Sequence, residues 1–307
     1  MMSKRFWVAL IYFALSQVAG ATERLETEVA RAGSFLPGHF VIQDAKWEVV
    51  ISRTAEANGE TVWDDDFRIS ILDRENGSQR SLSWPNSYGG FEFAVLSQDR
   101  LLLGAYFYGG SFGYGKLIQI DLKSLKEKDL YKNGTDEGFY EISLSPDHKT
   151  VLGIPGSSSR NRWPSPDNLL MFEQDPKSGD WTTTELLDKE GRPACNTAKV
   201  EQLRVVSKIE WSYPKKALMV LREGKEPRFD GPNWTYRVAA VVPSQGPCGL
   251  KIAPLKLRHP KMSPGLIEGE PVLFRDNLVF TKIDEARGKV SVQYYFDEKS
   301  ETTALPE

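Results

Sequence analysis

The sequence predicts an all-β fold, a β-propeller of about five four-stranded blades with room for a sixth, and three observations carry that reading. Short apolar or alternating runs broken by Gly, Pro, Asn and Asp dominate, and long helical periodicity is nearly absent. A polar turn leading into a strongly apolar strand recurs as QDAKWEVVIS (43–52), SQDRLLLGAY (97–106), SPDHKTVLGI (145–154), SYPKKALMVL (212–221) and FRDNLVFTKI (274–283). An alternating strand followed by a second polar turn recurs after each, as FRISILDRENG (67–77), KLIQIDLKSLK (116–126), NLLMFEQDPKSG (168–179), YRVAAVVPSQG (236–246) and VSVQYYFDEKS (290–300). The units lie about 50 to 65 residues apart, within the range of repeat architectures.

Each unit therefore reads as strand, tight turn, apolar strand, variable loop, alternating strand, turn and fourth strand, which is the plan of a propeller blade. The competing architecture is a pair of β-sandwich domains, which seldom repeat a four-strand pattern so evenly. A sixth unit would have to lie in 22–40 or 250–270. The segment Thr22 to Gly33 reads as a short helix, or as an outer strand that closes the ring.

One turn carries a family resemblance. Ser145-Pro146-Asp147-His148-Lys149 ahead of an apolar strand is similar to the SPDGK turn of TolB-like, WD40-like (PD40-type) propeller repeats. His148 stands where those repeats have Gly, Gln98-Asp99-Arg100 matches in part, and no unit ends a strand on Trp-Asp. The resemblance implies a propeller, usually six-bladed among the TolB-like proteins. It implies no activity, because propellers serve many unrelated functions.

Residues 1–21 read as a secretory signal. Lys4 and Arg5 precede the apolar run Phe6–Leu15, and Ala19 and Ala21 fit an A-x-A cleavage site, so the mature domain would span 22–307. The run is shorter than the ~20 residues of a membrane-spanning helix. A periplasmic or secreted protein with no membrane span is expected. Removing the leader lowers the basic count from 39 to 37 against 42 acidic residues, a net charge of −5. That balance argues against nucleic acid as a partner. In an oxidising compartment Cys195 and Cys248, the chain's two cysteines, are expected to form one disulfide. The strand plan puts them on opposite faces, roughly 17–20 Å apart, so either the 189–200 segment runs down the outside of the fourth blade, the favoured reading, or the strand boundaries there lie elsewhere.

Motifs that suggest chemistry fail on inspection. Gly110 to Lys116 fits G-x-x-x-x-G-K, but Leu117 replaces the metal-binding Ser or Thr and the segment leads into a strand, so a glycine-rich hairpin is expected rather than a phosphate loop. There is no G-x-S-x-G, and Gly156-Ser157-Ser158-Ser159 reads as a loop. His39, His148 and His259 fall in no ligand pattern. Asp64-Asp65-Asp66 lacks the spacing and glycine of an EF-hand loop. Glu92, Glu141, Glu210 and Glu270 recur on first strands, but their distances from the following turn send them to different faces, and only Glu141 and Glu270 keep a common phase. Asn76, Asn133 and Asn233 begin N-x-S/T sequons, two of them as Asn-Gly turn pairs. No catalytic residue, metal site or cofactor is assigned.

Loop content points to one face. The loops joining second to third strands are the long ones, and with one inter-blade loop they carry Trp63, Trp84, Tyr106, Tyr108, Tyr114, Arg160, Arg162, Trp163 and Trp234. Rigid aromatic rings beside arginines are the material of interaction hot spots. The reading is an exported, non-enzymatic propeller that binds a protein or peptide partner through this face. The alternative is a glycan-binding or glycan-cleaving propeller, with Asp64–Asp66, Asp230 or strand glutamates as carboxylates.

Overall fold

The computed structural model describes residues 27–29, 39–53, 67–84, 88–109, 112–131, 138–155, 168–195, 202–212, 216–224, 235–243, 245–257, 278–294 and 300–306. Side-chain alternation organises them into antiparallel sheets. The first contains β2 (His39–Gln43), β3 (Trp47–Arg53), β4 (Phe67–Asp73) and β5 (Gln79–Trp84), paired in that order. The second contains β6 (Tyr88–Ser97), β7 (Arg100–Gly109), β8 (Phe112–Asp121) and β9 (Glu127–Asp129). The third contains β10 (Phe139–Leu144), β11 (Thr150–Pro155), β12 (Leu169–Gln174) and β13 (Trp181–Leu187). One residue pair, Phe139 with Gly115, joins β10 to β8.

In the fourth sheet the first strand is interrupted. Both β14 (Leu203–Val205) and β15 (Glu210–Ser212) pair with β16 (Lys216–Glu223), which is followed by β17 (Thr235–Val241) and β18 (Leu250–Leu255). The fifth sheet holds β19 (Leu278–Asp284), β20 (Lys289–Tyr294) and β21 (Ser300–Ala304).

How these sheets stack decides between a propeller and two sandwiches. A sandwich sheet buries one face, whereas a blade inside a propeller buries both. In β7, Leu101, Leu103 and Ala105 pack toward the first sheet, while Leu102 packs toward the third. In β11, Val151 faces the second sheet and Leu152 and Ile154 face the fourth. In β16, Ala217, Met219 and Leu221 face the third sheet and Val220 the fifth. Four apolar clusters thus join sheets one to two, two to three, three to four and four to five. The fold is a β-propeller of stacked four-stranded blades. Each fully buried Leu, Ile or Val adds about 1.5–3 kcal/mol, so the clusters hold the stack. Two glycines permit this packing: a Cβ on Gly104 would collide with the Phe93 ring, and one on Gly153 with the Phe139 ring.

Turns at one end of the blades share a chemistry. Asp73 and Asp121 end third strands and Asp175 follows one directly; Asp73 accepts the Glu75 N–H, and Asp121 and Asp175 each accept two backbone N–H groups of the following turn. The fifth turn position takes a left-handed backbone at Gly77, Leu125 and Gly179. The sequon residue Asn76 belongs to the first of these turns, where its amide donates to Asp73 at 2.9 Å and accepts from the Ser78 N–H.

The disulfide is present, and the two half-cystines have Cα atoms 4.8 Å apart. The chain reverses at Asp188–Arg192. Pro193 then pairs back against Leu187, and the Ala194 N–H donates to the Leu186 carbonyl. The segment therefore descends along β13, the outer strand of the third blade rather than of the fourth. It meets the 3-10 turn Gly246–Gly249 that carries Cys248.

One other expectation changes. Residues Thr27–Val29 form a strand, β1, that pairs with β6, and so add to the channel-side edge of the second blade instead of forming a helix or an outer strand. Of the fifth unit three strands are described: Asp284–Ala286, at the end of β19, lie near Trp211 and Ser212, Thr303 of β21 donates to the Pro254 carbonyl of β18, and Lys216 Nζ donates to the Pro306 carbonyl.

Candidate functional site

Bulges in the inner strands build a carboxylate group that strict alternation hides. In β6 the pairing steps from Phe91–Ala105 to Phe93–Gly104, leaving Glu92 as the extra residue. In β10 the pairing steps from Phe139–Pro155 to Glu141–Ile154, with Tyr140 left over. These shifts bring Glu92 and Glu141, on neighbouring inner strands, within electrostatic reach of each other. Burial first, and then the charge of Glu141, push the Glu92 carboxyl up to about 7. Burial also raises the Glu210 carboxyl, against the opposing effect of Lys208. The sequence reading that placed Glu92 and Glu141 out of phase is thereby corrected, and Glu270 lies outside the described residues.

Glu141 has a structural task as well. Its Oε1 accepts the Ile209 N–H at 3.0 Å, while Trp211 Nε1 donates to Ser143 Oγ at 3.0 Å. Third and fourth blades are thus tied at their inner strands as well as through the disulfide near their rims.

The short-turn face of the first three blades is occupied by its own contacts. Asp99 accepts from Lys46 Nζ at 2.9 Å and Trp47 Nε1 at 3.0 Å, and pairs with Lys123 at 2.5 Å. Burial alone would raise the Asp99 carboxyl, but these donors outweigh it and hold it well below the usual carboxylate range. Arg100 bridges Asp121 at 2.5 Å and Asp180 at 2.7 Å. Gln119 donates to Asp180 at 3.2 Å and accepts the Trp181 N–H at 3.0 Å. First, second and third blades are latched together here.

The opposite, long-loop ends hold the aromatic residues singled out from the sequence, as far as they are described. Trp84 ends β5 opposite Phe67. Tyr106 and Tyr108 lie in β7, opposite Gly115 and Gly113, and Tyr114 lies in β8, opposite Phe107. This stretch is hairpin, not loop: pairing continues to Gly109–Phe112, and Lys116 is a strand residue 3.8 Å from Asp129. Trp63, Arg160, Arg162, Trp163 and Trp234 lie outside the described residues, as do Asp64–Asp66 and Asp230.

No family model matches the chain, and no curated protein matches it. Among solved structures, it is similar to an oligogalacturonate lyase in complex with manganese, at 12% identity and a TM-score of 0.36 over 89% of this chain and 68% of that one. The β-propeller domain of the Trilobed protease from Pyrococcus furiosus matches at 10% identity and a TM-score of 0.30, covering 88% and 68%. The oligogalacturonate lyase from Vibrio parahaemolyticus matches at 10% identity and 0.34, covering 88% and 66%. The fold rests on the sheets and their stacking, and these likenesses add no chemistry to it.

Among the described residues, no group of three or more His, Cys, Asp or Glu side chains is placed to hold a metal ion. No helix among them is long and apolar enough to cross a membrane.

Proposed function

We propose that this chain is an exported propeller that acts as a binding module, engaging a protein or peptide partner through its long-loop face. The observation that carries the reading is the division of labour between the two faces. On the short-turn side, Asp99, Arg100, Asp121 and Asp180 spend their charges on one another and on Lys46 and Lys123. On the other side the strand ends carry Trp84, Tyr106, Tyr108 and Tyr114, and the sequence adds Trp63, Trp163 and Trp234 between second and third strands. Aromatic side chains there would bury large area at low entropy cost. The leader-like residues 1–21 and the disulfide support a site of action outside the cytoplasm.

The test is a pull-down with the mature protein and a Trp63→Ala, Trp163→Ala, Trp234→Ala variant. The variant should keep its melting transition and lose its partners. An unchanged set of captured partners would sink the reading.

The glycan alternative gains one observation of its own, the proton that Glu92 holds near neutrality beside Glu141. A carboxylic acid next to a carboxylate is the equipment of a glycosidase. Release of reducing sugar by the wild type and its loss in Glu92→Gln would favour that reading over a pure binding module.

A further inference from the structure

One strand belongs to no blade. The second blade is complete with β6 to β9, yet β1 adds to the channel-side edge of β6, with Thr27 opposite Val95, Glu28 opposite Ala94 and Val29 opposite Phe93. Among the described residues the other inner strands carry no such addition. Strand β2 lies at the end of its sheet, β14 and β15 pair with β16 alone, and β10 has on that edge the single pair of Phe139 with Gly115. A blade of this protein therefore stands without a cover on its inner edge, and β1 is not needed to complete one.

Backbone geometry says what this edge accepts. Strand β6 runs ten residues, against five for β2 and six for β10. Beyond the bulge at Glu92 its register with β7 is unbroken from Phe93 to Ser97, and β1 covers Phe93–Val95 of that stretch. The side chains there are already engaged, Ala94 and Leu96 toward the first blade, Phe93 and Val95 toward the third. What faces the channel is the edge itself, a row of N–H and C=O groups that an extended chain can satisfy by strand addition.

Charge selects among extended chains. Glu92, Glu141 and Glu210 lie on the inner strands of the second, third and fourth blades, and Lys208 offsets the last of them. The charge of Glu141 works against ionisation of Glu92, so a cationic side chain brought to this edge relieves a repulsion and an acidic one adds to it. The chain's own strand is acidic here, because it places Glu28 opposite Ala94. It is also short. We infer that the channel edge of β6 is a strand-addition site for a basic, extended peptide segment of a partner, held in the free protein by residues 27–29 of the same chain. This site is separate from the long-loop face.

The experiment uses the full mature protein and fluorescently labelled peptides of the length of β6: alternating Thr and Lys, alternating Thr and Glu, and alternating Pro and Lys. A Thr27→Pro, Glu28→Pro variant frees the edge, because adjacent prolines remove consecutive backbone donors. It should bind the Thr-Lys peptide about tenfold or more tightly than the wild type, whose own strand competes at an effective concentration on the order of 1 mM. Hydrogen exchange at Phe93–Val95 should quicken in the variant and slow again when that peptide is added, and the other two peptides should leave it unchanged. Glu28→Lys, which keeps every backbone donor, should hold the self-strand more firmly and take up less peptide than the wild type. Equal affinity in the wild type and the proline variant would overturn the assignment. So would equal capture of the Thr-Glu peptide, or no binding to the proline variant tighter than about 1 mM. A melting temperature lowered by more than about 4 °C in the proline variant would make β1 a structural fifth strand, and would overturn it as well. The Trp63→Ala, Trp163→Ala, Trp234→Ala variant should bind the peptide as the wild type does, which keeps this outcome distinct from that of the partner experiment.

Discussion

Glu92 shows how one inserted residue changes the chemistry of a strand. Read by alternation, Phe91-Glu92-Phe93 should put the two rings on one face; instead Phe91 packs toward the first blade and Phe93 toward the third. The bulge accomplishes this and leaves the carboxyl between them, half-buried. No residue type in the sequence announces a bulge here, so the coupling of Glu92 with Glu141 was not legible. The consequence is a pH dependence of defined sign. The folded state holds the Glu92 proton up to about 7, whereas the unfolded chain releases it near 4.5. Between those values the folded state binds more protons, so stability falls as pH rises, and the loss is complete above the folded pKa. The full shift corresponds to about 3 kcal/mol at most, and solvent reaching the side chain lowers that figure. Denaturant titrations of Glu92→Gln should show a flatter stability between about pH 5 and pH 8 and a gain at the alkaline end. A variant that keeps the wild-type slope would show that Glu92 titrates normally.

At the scale of strands and turns, the sequence was readable wherever local chemistry repeats. Asp73, Asp121 and Asp175 open the same turn because a short carboxylate can accept the N–H two residues ahead, and at Asp121 and Asp175 the one three ahead as well. The apolar second strands β3, β7, β11 and β16 were legible for the same reason, since blades buried on both faces need near-continuous hydrophobic runs. The contacts between turns were hidden, because Asp99 meets Lys46 and Trp47 across more than fifty residues of chain. Asp99→Ala should therefore cost about 2 kcal/mol, since it leaves an ammonium and an indole N–H without their shared acceptor. The depressed Asp99 pKa means that its contribution is complete above the unfolded value and is lost as pH falls through the folded one. Chemical denaturation at neutral pH and again in strong acid checks both statements: the gap between wild type and variant should shrink in acid.

At the scale of the molecule, periodicity foretold the stack of sheets, but the path of the chain between blades required coordinates. The disulfide is the clearest case, because the cysteine count predicted the bond while the strand plan seemed to forbid it. The reversal after β13 resolves the conflict, and it sets up a test of what the bond does. Leu186, Leu187 and Leu203 already seal the third blade against the fourth. Both half-cystines are exposed, so the bond adds little burial and a reductant can reach it. Its effect should therefore fall on the unfolded chain, where it closes a sequence separation of 53 residues. In the chain-entropy account that constraint is worth about 4 kcal/mol, and at roughly 2–4 °C per kcal/mol for a chain of this size the melting temperature should drop by about 10 °C on reduction. A Cys195→Ser, Cys248→Ser variant should melt at the reduced temperature with or without reductant, while its near-ultraviolet circular dichroism at low temperature stays that of the wild type. If reduction also changed the native spectrum, the bond would instead be holding the third and fourth blades in register.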